Sequence, residues 1–116
     1  MAKRIYDQPY HFQTMVPLGN SQATAAPIDA KASPGFVLAT GDSVTGLILP
    51  PASKGKEYIV KNIGITQLQI LNIYPPIGGF LNSQAVNTLM TMGPQTSTTF
   101  IADGSATWHS IPVVPS

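Results

Sequence analysis

Cysteine is absent from the 116 residues, and charged side chains make up only 9% of them. Without cysteine the chain can form no disulfide, no thiolate nucleophile and no thiolate metal site. Six basic and five acidic residues give a formal net charge of +1. They are scattered along the chain, so no basic stripe can neutralise a row of phosphates. We therefore expect no nucleic-acid partner.

Long apolar runs are also missing. No window approaches the ~20 apolar residues that a membrane-spanning helix requires. The basic start at Lys3 and Arg4 is followed by Asp7 and Pro9, which interrupt the apolar core that a secretory signal needs. We expect no membrane partner, and synthesis in the cytosol.

The low content of charged residues also indicates what the surface of the folded protein is made of. Ordinary soluble domains carry roughly 25% charged residues, whereas the apolar fraction here, 43%, is sufficient for one core. The surface must therefore be covered by serine, threonine, asparagine and glutamine, or by another protein. A weakly charged surface favours association, so the composition predicts an oligomer or a component of an assembly.

Strand and turn signals dominate what is present. In the stretch G-L-I-L-P-P-A-S-K-G-K-E-Y-I-V-K-N, residues 46–62, an apolar block ends at Pro50 and Pro51, which cannot donate to a β ladder. A short polar turn containing Gly55 follows, and the next residues alternate with a period of two. The pattern predicts a strand, a turn and a second strand.

Six strands are predicted along the chain, separated by proline or glycine, at residues 44–49, 57–62, 68–74, 87–92, 97–102 and 107–111. Short strands at this spacing are typical of sandwiches and barrels. Residues 74–86 predict an Ω-type loop with Phe80 and Leu81 beneath it. No helical periodicity and no internal repeat is evident. The expected fold class is all-β, a small β-sandwich or jelly-roll-like domain over residues 37–116.

Residues 1–36 have little periodicity and predict an extended N-terminal arm, 1–18, followed by a loose linker, 19–35. Tyr6, Tyr10, His11 and Phe12 cluster in this arm. Four exposed rings would form an apolar patch, so we expect the arm to dock on a partner surface with Tyr6, Tyr10 and Phe12 as its anchors. Removal of residues 1–18 is expected to leave the domain folded.

Catalytic chemistry has weak support. The triplet Gly41-Asp42-Ser43 opens one family of serine esterases, which also needs an Asp-x-x-His motif, but here Asp103 precedes His109 by six residues. Ser43 is therefore expected to lie in a turn before a strand, and a hydrolase using it is a minor alternative.

Metal chemistry has no better support. His11 and His109 lie at opposite ends of the chain without ligand spacing. We expect no enzyme activity, no cofactor and no metal.

Three aromatic residues, Trp108, Tyr58 and Tyr74, have two interpretations. In so small a β domain a single tryptophan is expected to anchor the core, with its indole N–H bonded to a partner. The alternative is a stacking platform for a sugar.

The order of these elements resembles small β-structured proteins and modules of tailed bacteriophages. It runs from a strand ending in Leu-Pro, through Gly-Lys-x-Tyr-x-Val-x-Asn and a Tyr-Pro turn, to a strand containing phenylalanine and a late tryptophan. The resemblance extends from about Gly41 to Pro112, two-thirds of the chain, and does not cover residues 1–36.

A chain of this length with a leading arm resembles head decoration (cement) proteins. The resemblance implies a homotrimer that binds the major capsid protein on the exterior of the virion and stabilises the shell, without catalytic residues. In that role Tyr6, Tyr10 and Phe12 would contact the capsid or a neighbouring subunit. The module is also similar to phage fibre-associated β domains. This second resemblance implies the alternative of a tail-fibre or receptor-binding module that recognises cell-surface glycan through Trp108, Tyr58 and Tyr74.

Overall fold

The computed structural model describes residues 10–39 and 44–114, and these residues form strands, turns and loops without helix. The strands are β1 (His11–Met15), β2 (Ala26–Pro27), β3 (Gly35–Ala39), β4 (Thr45–Ile48), β5 (Glu57–Asn62), β6 (Leu71–Tyr74), β7 (Phe80–Leu81), β8 (Met90–Met92), β9 (Ser97–Ala102) and β10 (Thr107–Ile111). They form a six-stranded sheet, in the order β1-β3-β5-β9-β10-β7, and a four-stranded sheet, in the order β2-β4-β6-β8. The predicted all-β class and two-sheet arrangement are confirmed.

The chain passes alternately between the two sheets from β1 to β6, and the strands that it adds to each sheet are parallel. In the larger sheet Gln13, Val37 and Val60 lie in one row, 24 and 23 residues apart. A corresponding row in the smaller sheet contains Ala26 and Leu47, 21 residues apart, with Ile73 beyond them. The first half of the molecule is therefore a short solenoid of three stacked coils.

Antiparallel strands complete the second half. β9 lies antiparallel to both β5 and β10, and β8 lies antiparallel to β6. The two-residue strand β7 closes the far edge of the larger sheet, parallel to β10. The parallel pairs distinguish this connectivity from a jelly roll, which consists of two antiparallel Greek keys.

Predicted strands 57–62, 97–102 and 107–111 have the bounds of β5, β9 and β10. The other three are found in shorter form as β4, β6 and β8. The predicted Ω-type loop contains a short strand, β7, and Leu81 in it is buried as expected. Prediction succeeded where side chains alternate between the core and the surface, as they do along β5 and β9.

The core lies between the sheets and has Trp108 near its centre. Trp108 is fully buried, its indole N–H donates a hydrogen bond to the Pro50 carbonyl at 2.9 Å, and its ring lies 5.7 Å from that of Tyr58. The largest other fully buried side chains are Phe100, Leu47, Leu49, Leu71, Ile73, Leu81 and Met92. The core interpretation of Trp108 is confirmed.

A buried asparagine stabilises one end of the sandwich. The Asn62 side-chain amide donates to the carbonyls of Gln69, Met92 and Gly93 at 2.8–3.1 Å, and its oxygen accepts from the Gly64 amide at 2.9 Å. These bonds satisfy backbone groups of two loops that would otherwise be buried without partners.

The N-terminal residues differ from the expected arm and loose linker. β1 pairs with β3 along its whole length, and Met15 packs against the core. Within the expected linker, four small or branched side chains are buried, Ala25, Ala26, Ile28 and Ala32. Residues 10–36 therefore belong to the same packed unit as the rest, and the prediction of a loose linker is corrected. Residues 1–9, with Tyr6 among them, lie outside the described part of the chain.

In the described ranges there is no helix of the length and hydrophobicity that a membrane crossing requires.

Candidate interaction surface

The face of the six-stranded sheet that points away from the core, called the outer face below, carries a continuous apolar row. The strand register aligns the following residues across five strands: Phe12, Phe36, Ile59, Thr99 and Ile111. The rings of Phe12 and Phe36 are stacked, with centroids 5.6 Å apart and planes within 7° of parallel. Because residues on either side of this row point inward, its side chains point outward as a set.

Two further rows flank the apolar row on the outer face. One contains Thr14, Leu38, Lys61 and Ser97, and the other contains Glu57, Ile101 and His109. Lys61 and Glu57 therefore lie on opposite sides of Ile59, and hydroxyl and aliphatic side chains make up most of the remainder. The outer face is a broad surface of low charge with an apolar centre.

The outer face ends at β1, whose far side has no neighbouring strand in the described part of the structure. The His11 amide donates to the Pro34 carbonyl of the adjacent segment at 2.8 Å. Since N–H and C=O groups alternate in direction along a strand, those of Phe12 and Thr14 point to the open side. This edge offers backbone hydrogen bonds to a partner, and an aromatic stack lies beside it.

Two of the predicted anchor residues lie at this edge. Phe12 is 66% exposed, and Tyr10 is 41% exposed. The Tyr10 hydroxyl donates to the Glu57 carboxylate, and this hydrogen bond raises the pKa of Tyr10. Both residues are accessible to a partner, and their role as anchors remains a prediction. Tyr6 is not among the described residues.

The residues expected to stack on a sugar are inaccessible. Trp108 and Tyr58 are fully buried, and Tyr74 is 4% exposed. The Tyr58 hydroxyl donates to the Asp29 carbonyl at 2.9 Å, and burial raises the pKa of Tyr58 to about 12. A sugar ring cannot reach these faces, so the prediction of a stacking platform is corrected.

A polar cluster lies at the turn between β9 and β10, and the spacing of its residues in the sequence did not indicate it. The Asp103 carboxylate lies 2.7 Å from His109 Nε2 and accepts bonds from the hydroxyl and amide of Ser105 at 2.7 and 2.8 Å. The Ser105 hydrogen bond, followed by that of His109, lowers the pKa of Asp103. The carboxylate separates serine from histidine, whereas a serine nucleophile must contact its base. The cluster orders the turn.

Ser43, the other serine considered for catalysis, lies in the gap between the described ranges.

An open cleft of about 540 Å³ lies beside this cluster, at one end of the sandwich. Three loops form it, at residues 51–54, 76–79 and 103–106, and their lining is mostly glycine, proline and alanine. Lys54 and Asp103 are its charged lining residues. No group of three potential metal ligands occurs in the residues that the structure describes.

The outer face and the β1 edge are thus the surface with the most distinctive chemistry. The run H-F-Q-T-M signals the edge strand only weakly, because five residues without a clear apolar alternation resemble an irregular segment. Comparison of the chain with protein-family models, with curated proteins and with solved structures finds no match.

Proposed function

We propose that the protein is a structural component of a tailed-bacteriophage virion that binds the outer surface of the capsid and stabilises the shell. The observation that carries this proposal is the outer face, a low-charge apolar surface that ends at an open strand edge. The resemblance of the strand order to head decoration proteins supplies the identity of the partner, the major capsid protein.

Burial of the outer face against another protein would remove apolar surface from water without stripping hydration from many charges. Apolar burial contributes about 25 cal/mol for each Å², whereas an unpaired buried charge carries a large desolvation penalty. Glu57 and Lys61 lie on either side of Ile59. If the contact is centred on the apolar row, these two charges would lie at its rim and stay hydrated. The face is therefore suited to adhesion.

The aromatic side chains beside the β1 edge would extend this contact. Tyr10 and Phe12 beside the edge are of the residue class that is enriched at protein interfaces. Adhesion through a few such contacts is weak for each copy.

Several copies on one shell strengthen binding through avidity. The decoration proteins that the chain resembles are commonly trimers, and we include a homotrimer in the proposal on that basis.

The glycan-binding alternative has lost the three residues on which it rested, since Trp108, Tyr58 and Tyr74 are buried. The cleft at the end of the sandwich has no aromatic lining residue. The described residues therefore give that function no support.

The proposal is tested with purified shells of the major capsid protein encoded by the same phage. Phe12→Ser should weaken binding of the protein to these shells about tenfold or more, in line with the cost of about 2 kcal/mol typical of a hot-spot residue. Ile65→Ser is the matched control, because Ile65 is 80% exposed in the loop between β5 and β6, away from the outer face. Failure of the intact protein to sediment with shells would refute the proposal. An equal loss of shell binding in both variants would show that the outer face is not the binding surface.

A further inference from the structure

We propose that two copies of the chain pair through β1, antiparallel, about a two-fold axis at Gln13. The pairing would join the two six-stranded sheets into one continuous sheet. This inference goes beyond the proposed function, because it concerns contact between copies and does not require a shell. The pairing could form between two free copies, or between copies that belong to two neighbouring trimers on a shell.

The first observation is that β1 is the longest free strand edge in residues 10–39 and 44–114. The other three sheet edges are β2, with two residues including Pro27, β7, with two residues, and β8, with three. Natural proteins protect long edges with charged residues, proline or a covering segment. β1 has five residues, H-F-Q-T-M, without lysine, arginine, acid or proline. Among the residues that the structure describes, an edge of this length without such protection is a site for strand addition.

The second observation is that the edge is self-complementary. A two-fold axis at Gln13 places Phe12 opposite Thr14 of the second copy, and Tyr10 opposite Val16. The N–H and C=O groups of Phe12 and Thr14 point to the open side, so each Phe12–Thr14 pair can exchange two hydrogen bonds. Phe12, at 66%, and Val16, at 63%, are among the most exposed apolar side chains of this region. On pairing each would be covered along its edge-facing side by the residue opposite it, Thr14 for Phe12 and Tyr10 for Val16.

The third observation concerns Gln13 itself. Its side-chain nitrogen, Nε2, is buried and has no hydrogen-bond partner in the described structure. In the proposed pairing Gln13 lies directly opposite Gln13 of the second copy, at a position where strands approach to about 4.5 Å between Cα atoms. A primary amide both donates and accepts, so two glutamines on a two-fold axis can satisfy each other once their terminal amides turn from the interior toward the axis.

These observations select the occupant of the edge. An extended segment of another protein could use the backbone groups of Phe12 and Thr14, but it would satisfy Gln13 only with a matching polar residue. A second copy supplies that residue by symmetry. Repulsion between copies is small, because residues 10–16 carry no formal charge with His11 neutral and the whole chain has a formal charge of +1.

A cysteine at position 13 tests the geometry directly, because the chain has no other cysteine. Directly opposed residues of this kind lie within the Cα separation of about 4.4–6.8 Å that a disulfide requires. Gln13→Cys should therefore form a covalent dimer under mild oxidation of dilute protein. Thr14→Cys is the matched control: the pairing sets it opposite Phe12 of the second copy, so the two cysteines are too far apart. Equal cross-linking of both variants, or of neither, would overturn the pairing.

The mass of the particle in solution provides a second test, by light scattering or analytical ultracentrifugation. Thr14→Pro removes an outward amide that makes no bond to β3, whereas Thr14→Val keeps that amide in a side chain of similar shape. The proline variant should have half the mass of the intact protein, a monomer from a dimer or a trimer from a hexamer, while the valine variant keeps the full mass. Thermal unfolding of both variants checks that each remains folded.

Two results would contradict the proposal in this test. An unchanged mass in Thr14→Pro would show that β1 does not join copies, and a fall to one-third would show a three-membered ring in place of a two-fold pair. Shell binding is measured separately, so its failure with an intact dimer would refute the proposed function and leave this inference standing. Protection of the Phe12 and Thr14 amides from hydrogen exchange only when shells are added would assign the edge to the shell protein and overturn the inference.

Discussion

At the residue scale, burial separates aromatic side chains that stabilise the core from those that are available to a partner. Trp108 and Tyr58 are fully buried and share one contact, whereas Tyr10 and Phe12 are exposed at the β1 edge. Sequence alone assigned the edge residues to a surface and left Trp108 with two interpretations. The strand register decides between them, because it directs position 108 toward the interior.

Trp108→Ala should lower the free energy of unfolding by about 3–5 kcal/mol, the cost typical of removing a buried aromatic side chain. Trp108→Phe should cost less, since it keeps most of the apolar volume and loses the hydrogen bond to the Pro50 carbonyl. Urea titration followed by circular dichroism measures both, with the exposed Ile65→Ala as the control at about 0.5 kcal/mol or less. A change in Trp108→Ala no larger than in the control would contradict the placement of this side chain.

Because of Tyr58, the stability of the folded protein is expected to depend on pH in the alkaline range. Burial raises its pKa from the ordinary 10.0 to about 12 in the folded chain. The folded state therefore binds this proton more tightly than the unfolded state. The resulting stabilisation is complete below the unfolded pKa and is lost as the pH rises through the folded pKa.

The urea midpoint of the intact protein should fall between about pH 10 and pH 12 more steeply than that of Tyr58→Phe, which has no ionisable hydroxyl. The difference between the two curves isolates Tyr58 from the titration of lysines. Parallel curves over this range would show that Tyr58 ionises equally in the folded and unfolded states.

At the element scale, the first strand has two functions, since it completes the core and provides an open edge. Its inner side contributes Met15 to the core, and its backbone pairs with β3 over five residues. The expectation that the domain stays folded without residues 1–18 arose because this segment lacks a periodic apolar pattern. In the segment after β1, small residues such as Ala25 and Ala26 fill the interior. Small residues contribute little to the hydrophobic periodicity from which strands are predicted.

Deletion of residues 1–18 should therefore destabilise the domain, on the order of 3 kcal/mol, by uncovering β3 and removing Met15 from the core. Deletion of residues 1–9 should cost much less, because it leaves β1 in place. Thermal unfolding of the two truncated proteins measures the difference. Equal melting temperatures would mean that β1 adds nothing to the fold.

Strand prediction succeeded for elements with a half-buried alternation and failed for the short elements. β5, β9 and β10 alternate between buried and partly exposed side chains, so their bounds could be obtained from the sequence. β2 and β7 contain two residues each, and their pairing depends on neighbours distant in the chain. Propensity acts over a local window and cannot detect such pairing.

At the scale of the whole molecule, coils of unequal length explain why no repeat is visible in the sequence. Residues that align in successive coils are 21–26 positions apart in the sequence, and the loops between the strands differ in composition. The all-β class followed from turn residues and alternation, but the parallel winding did not. The outer face is likewise visible only after the register is known, since Phe12, Phe36 and Ile59 are far apart in the chain.

The low charge of the chain is reflected in the composition of the outer face. The outer face contains Glu57 and Lys61 as its fixed charges, with His109 beside them, and its centre is apolar. A free protein with such a face is poorly protected from association. The proposed attachment to a shell and the proposed pairing through β1 would each cover part of this surface.

The central claim, that the outer face attaches the protein to the exterior of a phage capsid, is tested most directly by cryo-microscopy of virions that carry the protein. We predict density on the outside of the head, with the six-stranded sheet lying against the capsid subunits and Phe12, Phe36 and Ile59 at the contact. Density confined to the tail, or a head-bound protein whose outer face points to solvent, would contradict the account.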